Sequence, residues 1–349
     1  MARARKHTAP TAIDLFSGCG GLTLGLKQAG FRVVGAVEID ALAAETYASN
    51  HPEVHLWRAD IRRISGPKIR KALGLRRGQL DLLAGCPPCQ GFSSMRTRNG
   101  GKQNRDRRND LIFDYLRLVK ALRPKTVMME NVPALIDNSR LKVLKAKLIA
   151  LGYEFNGTPA VLNAADYGVP QRRKRMILIG SRIGSIEMPP RARKAKTVRD
   201  AIGGLVRPRE SSDPLHKATE DREPRIARMI SLIPKNGGSR MDLPKRYHLE
   251  CHKKLKDGFK DVYGRMKWND VSPTITGGCV NPSKGRFLHP RQNRAITLRE
   301  AALLQTFPPS YRFSLRRGKY AVALMIGNAL PPAFIKKHAT AIKNVLRAR

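Results

Sequence analysis

Acidic residues are scarce in this chain. Its 349 residues include 27 Asp and Glu against 67 Lys and Arg, a formal net charge of +40. Such an excess repels itself, and a polyanion would neutralise it. Nucleic acid is the first candidate partner and an anionic membrane surface the second. A run of 18 or more apolar residues is also lacking, so no spanning helix is expected. The stretch Tyr320 to Ile335 carries few charges but contains Gly327, Asn328, Pro331 and Pro332, a set foreign to a membrane helix. The N-terminus is basic without a long apolar core, which argues against secretion. Cysteines number five, an odd and small count for this length. A disulfide framework is therefore not expected, and a reducing cytoplasm fits.

What is present is enough apolar material for a core. The hydrophobic fraction is 41%, which excludes a disordered basic tail. In the first half, apolar runs alternate with helical patterns. TAIDLF, RVVGAVEID, LDLLAG, KTVMMEN and RMILIGS read as buried strands. A helix follows each of the first two, and Asp110 to Leu122 forms an amphipathic helix. This alternation predicts an α/β fold, a doubly wound, mostly parallel, Rossmann-like sheet over residues 1–181. Residues 182–290 are rich in Pro, Gly and basic residues, and predict a smaller irregular or β-rich domain. From 291 to 349 helical patterning returns, with Thr297 and Glu300 at capping-box spacing.

Four constellations carry chemistry. DLFSGCGG (residues 14–21) takes a strand through a glycine-rich turn into a helix, a shape that brings backbone N–H groups to a ligand. Glu38 ends the next strand, where a carboxylate can accept ribose hydroxyls. The spacing is not GxGxxG, so a single-nucleoside cofactor fits better than a dinucleotide. Taken alone, the turn is equally consistent with a purely structural role. GCPPCQGFS (85–93) follows a strand and offers Cys89 as a nucleophile. Zinc and redox readings of Cys86-x-x-Cys89 lack the second ligand pair and the thioredoxin-like context, and no metal is expected. Glu130 ends the strand of MMENV, and Arg173 and Arg175 precede the strand of QRRKRMILIG. Taken singly, Glu130 reads first as a satisfied edge carboxylate, and the two arginines also read as a solvated basic approach to a strand. The segment from Ser94 to Asn109 gathers six basic residues around Gly100 and Gly101, a loop suited to an anion.

The order DLFSGCGG, VEID, GCPPCQGFS, ENV, QRRKR, RAITLREAALLQTFP and GNALPP resembles the DNA cytosine-5 methyltransferases. The resemblance covers roughly the first half and the last fifth of the chain. It implies S-adenosyl-L-methionine as cofactor, contacted by Phe16, Gly18 and Gly20. Glu38 would take the ribose, Asp60 the adenine amino group, Ile39 and Ile61 the apolar walls, and Asn328 the methionine end. Cys89 would be the catalytic nucleophile, Glu130 would hold the N3 and N4 edge of cytosine, and Arg175 its carbonyl, supported by Arg173. Gln90, Ser93, Arg96, Arg98, Lys102 and Arg105 would meet DNA. Residues 1–181 and 291–349 would form the catalytic domain and 182–290 the target-recognition domain. The implied partner is double-stranded DNA, methylated by a cytoplasmic monomer of the bacterial type, either paired with a restriction endonuclease or acting without one. RNA cytosine methylation is a second reading; the Cys-Phe-Thr signature associated with the tRNA enzyme is not found here. A catalytically idle DNA-binding paralogue is a third, but it should have lost Cys89 or Glu130.

Overall fold

The computed structural model describes residues 8–88, 107–217, 221–250 and 260–348. Seven strands form one sheet: β1 (Thr11–Leu15), β2 (Arg32–Glu38), β3 (His55–Arg58), β4 (Leu82–Gly85), β5 (Thr126–Asn131), β6 (Ala160–Asn163) and β7 (Lys174–Ser181). Their order is β3-β2-β1-β4-β5-β7-β6. The first five run parallel. The continuous apolar content of β1, β2, β4 and β5 suits strands covered on both faces. β7 runs antiparallel to both β5 and β6. The RMILIGS strand therefore exists, but in the reverse sense to its neighbour. Apolar content reports burial and is silent on direction. The short, polar-flanked β3 and β6 escape a sequence reading for lack of a long apolar run.

The chain divides into two compact units. The first comprises Met1–Asn163, Lys174–Arg191 and Leu330–Arg349, and the second Ala164–Arg173 and Ala192–Ala329. The first unit holds the sheet with α1 (Gly21–Gln28), α2 (Ala41–Asn50), α3 (Gly66–Leu73), α4 (Leu111–Leu122) and α5 (Ser139–Ala150). Its core joins Ile13, Leu15 and Leu83 of the sheet to Tyr115, Leu118 and Leu122 of α4. These three residues of α4 share the apolar stripe read from the sequence.

The second unit contains α6 (Val198–Ile202), α7 (Pro214–Lys217), α8 (Pro224–Leu232), α9 (Leu298–Leu304) and α10 (Gly318–Asn328). The first unit is completed by α11 (Pro332–Arg347), which lies on α1 so closely that a Cβ on Gly25 would stand 2.5 Å from Ile335 Cβ. Between 182 and 290 the described residues form short helices and isolated bridges. That stretch is irregular rather than β-rich, as its Pro and Gly content favours. Residues 291–329 group with the second unit, where α9 packs on α6, α7 and α10. The capping box on α9 is present, with Thr297 Oγ1 and the Glu300 carboxylate exchanging backbone donors.

Arg265 is fully buried and has no carboxylate partner among the described residues. Its guanidinium donates to the carbonyls of Ile230, Ile233, His289 and Gln292 and to Asn293 Oδ1, at 2.6–3.1 Å. Burial lowers its pKa to about 10, and the charge is retained because its donors are met by oriented carbonyls.

Candidate active site

Parallel strands β1, β2, β4 and β5 all end at one edge of the sheet, and the antiparallel β7 begins there, with Met176 opposite Asn131. Reversal of β7 is what brings Arg175 to this edge. Its Nε stands 2.9 Å from Glu130 Oε1, with side chains 17% and 8% exposed. A nearly buried carboxylate facing an Arg can hold the donor and acceptor edge of a planar base. The neighbouring Asn131 is also buried. Its Nδ2 donates to the Pro87 carbonyl at 2.9 Å while its Oδ1 accepts from Val132 N at 2.8 Å. β5 thus fastens the backbone just before Cys89. Cys89 itself, with Gln90, Ser93, Arg96, Arg98, Lys102 and Arg105, lies outside the described residues.

The glycine-rich turn lies at the end of β1. Phe16, Gly18 and Gly20 all have left-handed backbone, with φ of 61°, 54° and 94°. For a bulky side chain such as Phe16 this is a strained state held by its surroundings. A Cβ on Gly18 would meet nothing within 4 Å among the described residues, so open space lies over that position. The Glu38 carboxylate accepts three backbone donors: Gly18 N at 2.7 Å, Ile39 N at 2.9 Å and Asp40 N at 2.7 Å. It staples the turn to the end of β2. Burial nevertheless raises its pKa, the three N–H groups only moderating that effect. Ile39 is 67% exposed beside it, an apolar side chain left in the open.

Asp60 follows β3, which is paired with β2 through Glu38 and Arg58. It caps a single turn, Ile61–Arg63, and its carboxylate is forked by Arg62, which lowers its pKa to about 2. Ile61 is 4% exposed and belongs to the core. Below the turn, Asp14 is fully buried. Its Oδ2 accepts from Thr23 Oγ1 at 2.7 Å, which also meets Tyr47 Oη at 2.8 Å. Asp14 Oδ1 has no hydrogen-bond partner among the described residues. Desolvation raises this carboxyl to a pKa of about 7. The sequence reading misses it because an Asp inside an apolar strand carries no spacing signal.

Arg173 and Asn328 belong to the second unit. Arg173 is buried and donates to the carbonyls of Ile275, at 3.0 Å, and Gly327, at 2.9 Å. Arg173 lies before β7 and binds backbone. Two further residues of the quoted motifs act with it. Gln171 Nε2 donates to Gln305 Oε1 at 2.8 Å and its Oε1 accepts from Ile275 N at 2.8 Å. Gln305 Nε2 in turn donates to the Ile326 carbonyl at 2.6 Å. These buried amides tie the QRR, LLQ and GN segments together. Gly327 permits it: a Cβ there would lie 2.2 Å from the carbonyl carbon of Thr276. Asn328 is exposed at the end of α10.

The chain matches the C-5 cytosine-specific DNA methylase family over residues 11–344 and belongs to it. A Type II methylase of Herpetosiphon aurantiacus, M.HgiDII, is 36% identical, covering 96% of this chain and 95% of that protein. The Type II methyltransferase M1.HphI of Haemophilus parahaemolyticus is 34% identical, with 95% and 86% covered. Among solved structures, a prophage-encoded E. coli protein assigned as a DNA modification methyltransferase superposes with a TM-score of 0.70. It is 27% identical, and 97% of this chain and all of that one are covered. The chain is a DNA cytosine-5 methyltransferase. No described helix is long and apolar enough to cross a membrane.

Proposed function

We propose that the protein transfers the methyl group of S-adenosyl-L-methionine to C5 of a cytosine flipped out of a specific double-stranded DNA sequence, by way of a covalent Cys89–C6 adduct. The observation that carries this reading is the Glu130–Arg175 pair, at 2.9 Å, beside the strand that leads into Cys89. The residues at the glycine turn suit the cofactor. Open space lies over Gly18 among the described residues, the Glu38 carboxylate stands beneath it, and Asp14 Oδ1 has no hydrogen-bond partner among the described residues. Phe16, Gly18, Gly20, Glu38, Ile39, Asp60 and Asn328 would hold it, with Ile61 supporting from the core. When bound, it supplies an electrophilic methyl group on a sulfonium sulfur.

The protein's own groups solve the remaining problem. Cytosine C5 is a poor nucleophile. Addition of the Cys89 thiolate at C6 makes C5 enamine-like, and a proton shared between the Glu130 carboxyl and N3 takes up the charge that develops there. Arg175 fixes the Glu130 carboxylate and can reach the base carbonyl. Arg173 acts at a distance, by holding backbone. Loss of the C5 proton and departure of Cys89 then restore the ring. A stacked base is inaccessible to this chemistry, so extrusion must cost a few kcal/mol of unstacking. The charge of +40 favours the DNA complex, and Arg96, Arg98, Lys102 and Arg105 would close on the phosphates.

Residues 182–290 would read the target, as their basic, irregular texture suits groove contacts. We infer a cytoplasmic monomer serving, as the Type II relatives suggest, beside a restriction endonuclease. The test is sequencing for 5-methylcytosine in cells expressing the protein or its Cys89→Ser variant. Modification at one recurrent sequence, absent in the variant, is expected. Folded wild-type protein that leaves all cytosines unmodified would refute the reading.

A further inference from the structure

Cys86 stands three residues before Cys89 and has no part in the chemistry above. β4 and β5 are parallel with Gly85 opposite Met129, which sets Cys86 beside Glu130 where both strands end. The Cys86 N–H donates to the Leu15 carbonyl at 3.2 Å, and Asn131 holds the Pro87 carbonyl at 2.9 Å, so the backbone on each side of the thiol is fixed. From this position the Glu130 carboxylate acts electrostatically on the thiol. That carboxyl is therefore flanked by a sulfur from β4 and a guanidinium from β7. Among the described residues, the other titratable groups facing the sulfur are Asp14 on β1 and Tyr115 on α4. The Tyr115 hydroxyl is committed to the carbonyls of Leu83, at 3.0 Å, and Met128, at 3.3 Å.

Burial, and then the charge on Glu130, push the Cys86 thiol well above its usual range, with Arg175 opposing them. It stays an S–H donor and does not compete with Cys89 as a thiolate.

We propose that Cys86 is a positioning residue for Glu130, its S–H holding the carboxylate that grips the target base while Arg175 holds it from the next strand. The inference rests on the reading of Glu130 given above. A hydrogen bond to a carboxylate favours the ionised form, so losing it should raise the Glu130 pKa.

Two measurements on the full-length protein test this. In the first, Cys86→Ala lowers kcat about fivefold, the effect of one ordinary hydrogen bond, with the cofactor KM unchanged and the kinetic pH midpoint moved upward. Cys86→Ser, which keeps a donor, restores kcat to within about twofold. An alanine variant with wild-type kcat and pH profile overturns the proposal. So does a serine variant as slow as alanine, which would mark simple packing. The second measurement maps alkylation of Cys86 by iodoacetamide, peptide by peptide, against pH. Glu130→Gln should speed it about tenfold at a given pH, the gain in thiolate for one pKa unit. Unchanged reactivity overturns the contact. Full turnover by Glu130→Gln, with altered Cys86 reactivity, would instead overturn the reading of Glu130 and the positioning role with it.

Discussion

Asn131 Nδ2 lies 2.9 Å from the Pro87 carbonyl oxygen, joining the residue after Glu130 to the residue two before Cys89. One strand thereby presents the Glu130 carboxylate and also anchors the backbone at Pro87. Asn131→Ala leaves a buried carbonyl without its donor and should cost about 1–3 kcal/mol. Turnover is expected to fall severalfold while cofactor affinity, measured by calorimetry, stays at the wild-type value. A variant with unaltered turnover would show that the anchor is dispensable.

Glu130→Gln keeps the shape and removes the charge that Arg175 meets. Charge stabilisation at a base edge of this kind contributes roughly 10²–10⁴ in rate. A drop of that order in methyl transfer, followed with a radiolabelled donor, is expected. Denaturant midpoints should move little, because the amide still fills the site.

Asp14 makes stability depend on pH. Its pKa is about 7 in the fold, against about 3.9 in an unfolded chain. Below the lower value both states are protonated and the group contributes nothing. Between the two, the unfolded chain ionises first, so stability falls as pH rises and levels off above about 7, by up to about 4 kcal/mol. Asp14→Asn should remove this slope. Urea titrations at several pH values between 4 and 7 will show it, and parallel curves for the two proteins would contradict it.

Gly327→Ala places a methyl 2.2 Å from the Thr276 carbonyl carbon and 2.3 Å from Gly277 N. Both are backbone atoms and cannot rotate aside. Destabilisation of about 1–3 kcal/mol or more is expected, read as a lowered thermal midpoint. A midpoint equal to wild type would mean that the two segments can part at no cost.

Replacing Arg96, Arg98, Lys102 and Arg105 together by Ala should flatten the dependence of log K on log salt by about 0.9 for each phosphate left unneutralised. DNA affinity measured from low to moderate ionic strength reads this slope directly. An identical slope would place these four side chains away from the phosphates.

Much of the sheet is legible because strands buried on both faces announce themselves as apolar runs: β1, β2, β4, β5 and β7 are all visible in this way. Direction is not legible. Arg175 reaches Glu130 only because β7 runs backward, and nothing in RMILIGS encodes that sense. Glu130 and Arg175 are visible through the order of the motifs. Gln171 and Gln305 are not, since their partner atoms lie 134 residues apart along the chain and a lone buried amide has no periodicity. Asp14 is hidden for the same reason. Arg173 binds the backbone carbonyls of Ile275 and Gly327, partners that no motif spacing announces. Ile61 reads as a wall and lies in the core, because the turn that Asp60 caps points it inward.

The packing of α1 against α11 bears on biosynthesis. The helix that opens the chain is covered by one made more than 300 residues later, at a spacing that leaves no room for even a methyl on Gly25. On the ribosome, that early face must wait for the closing segment to emerge, so the sheet layer is sealed only after the intervening unit has been translated.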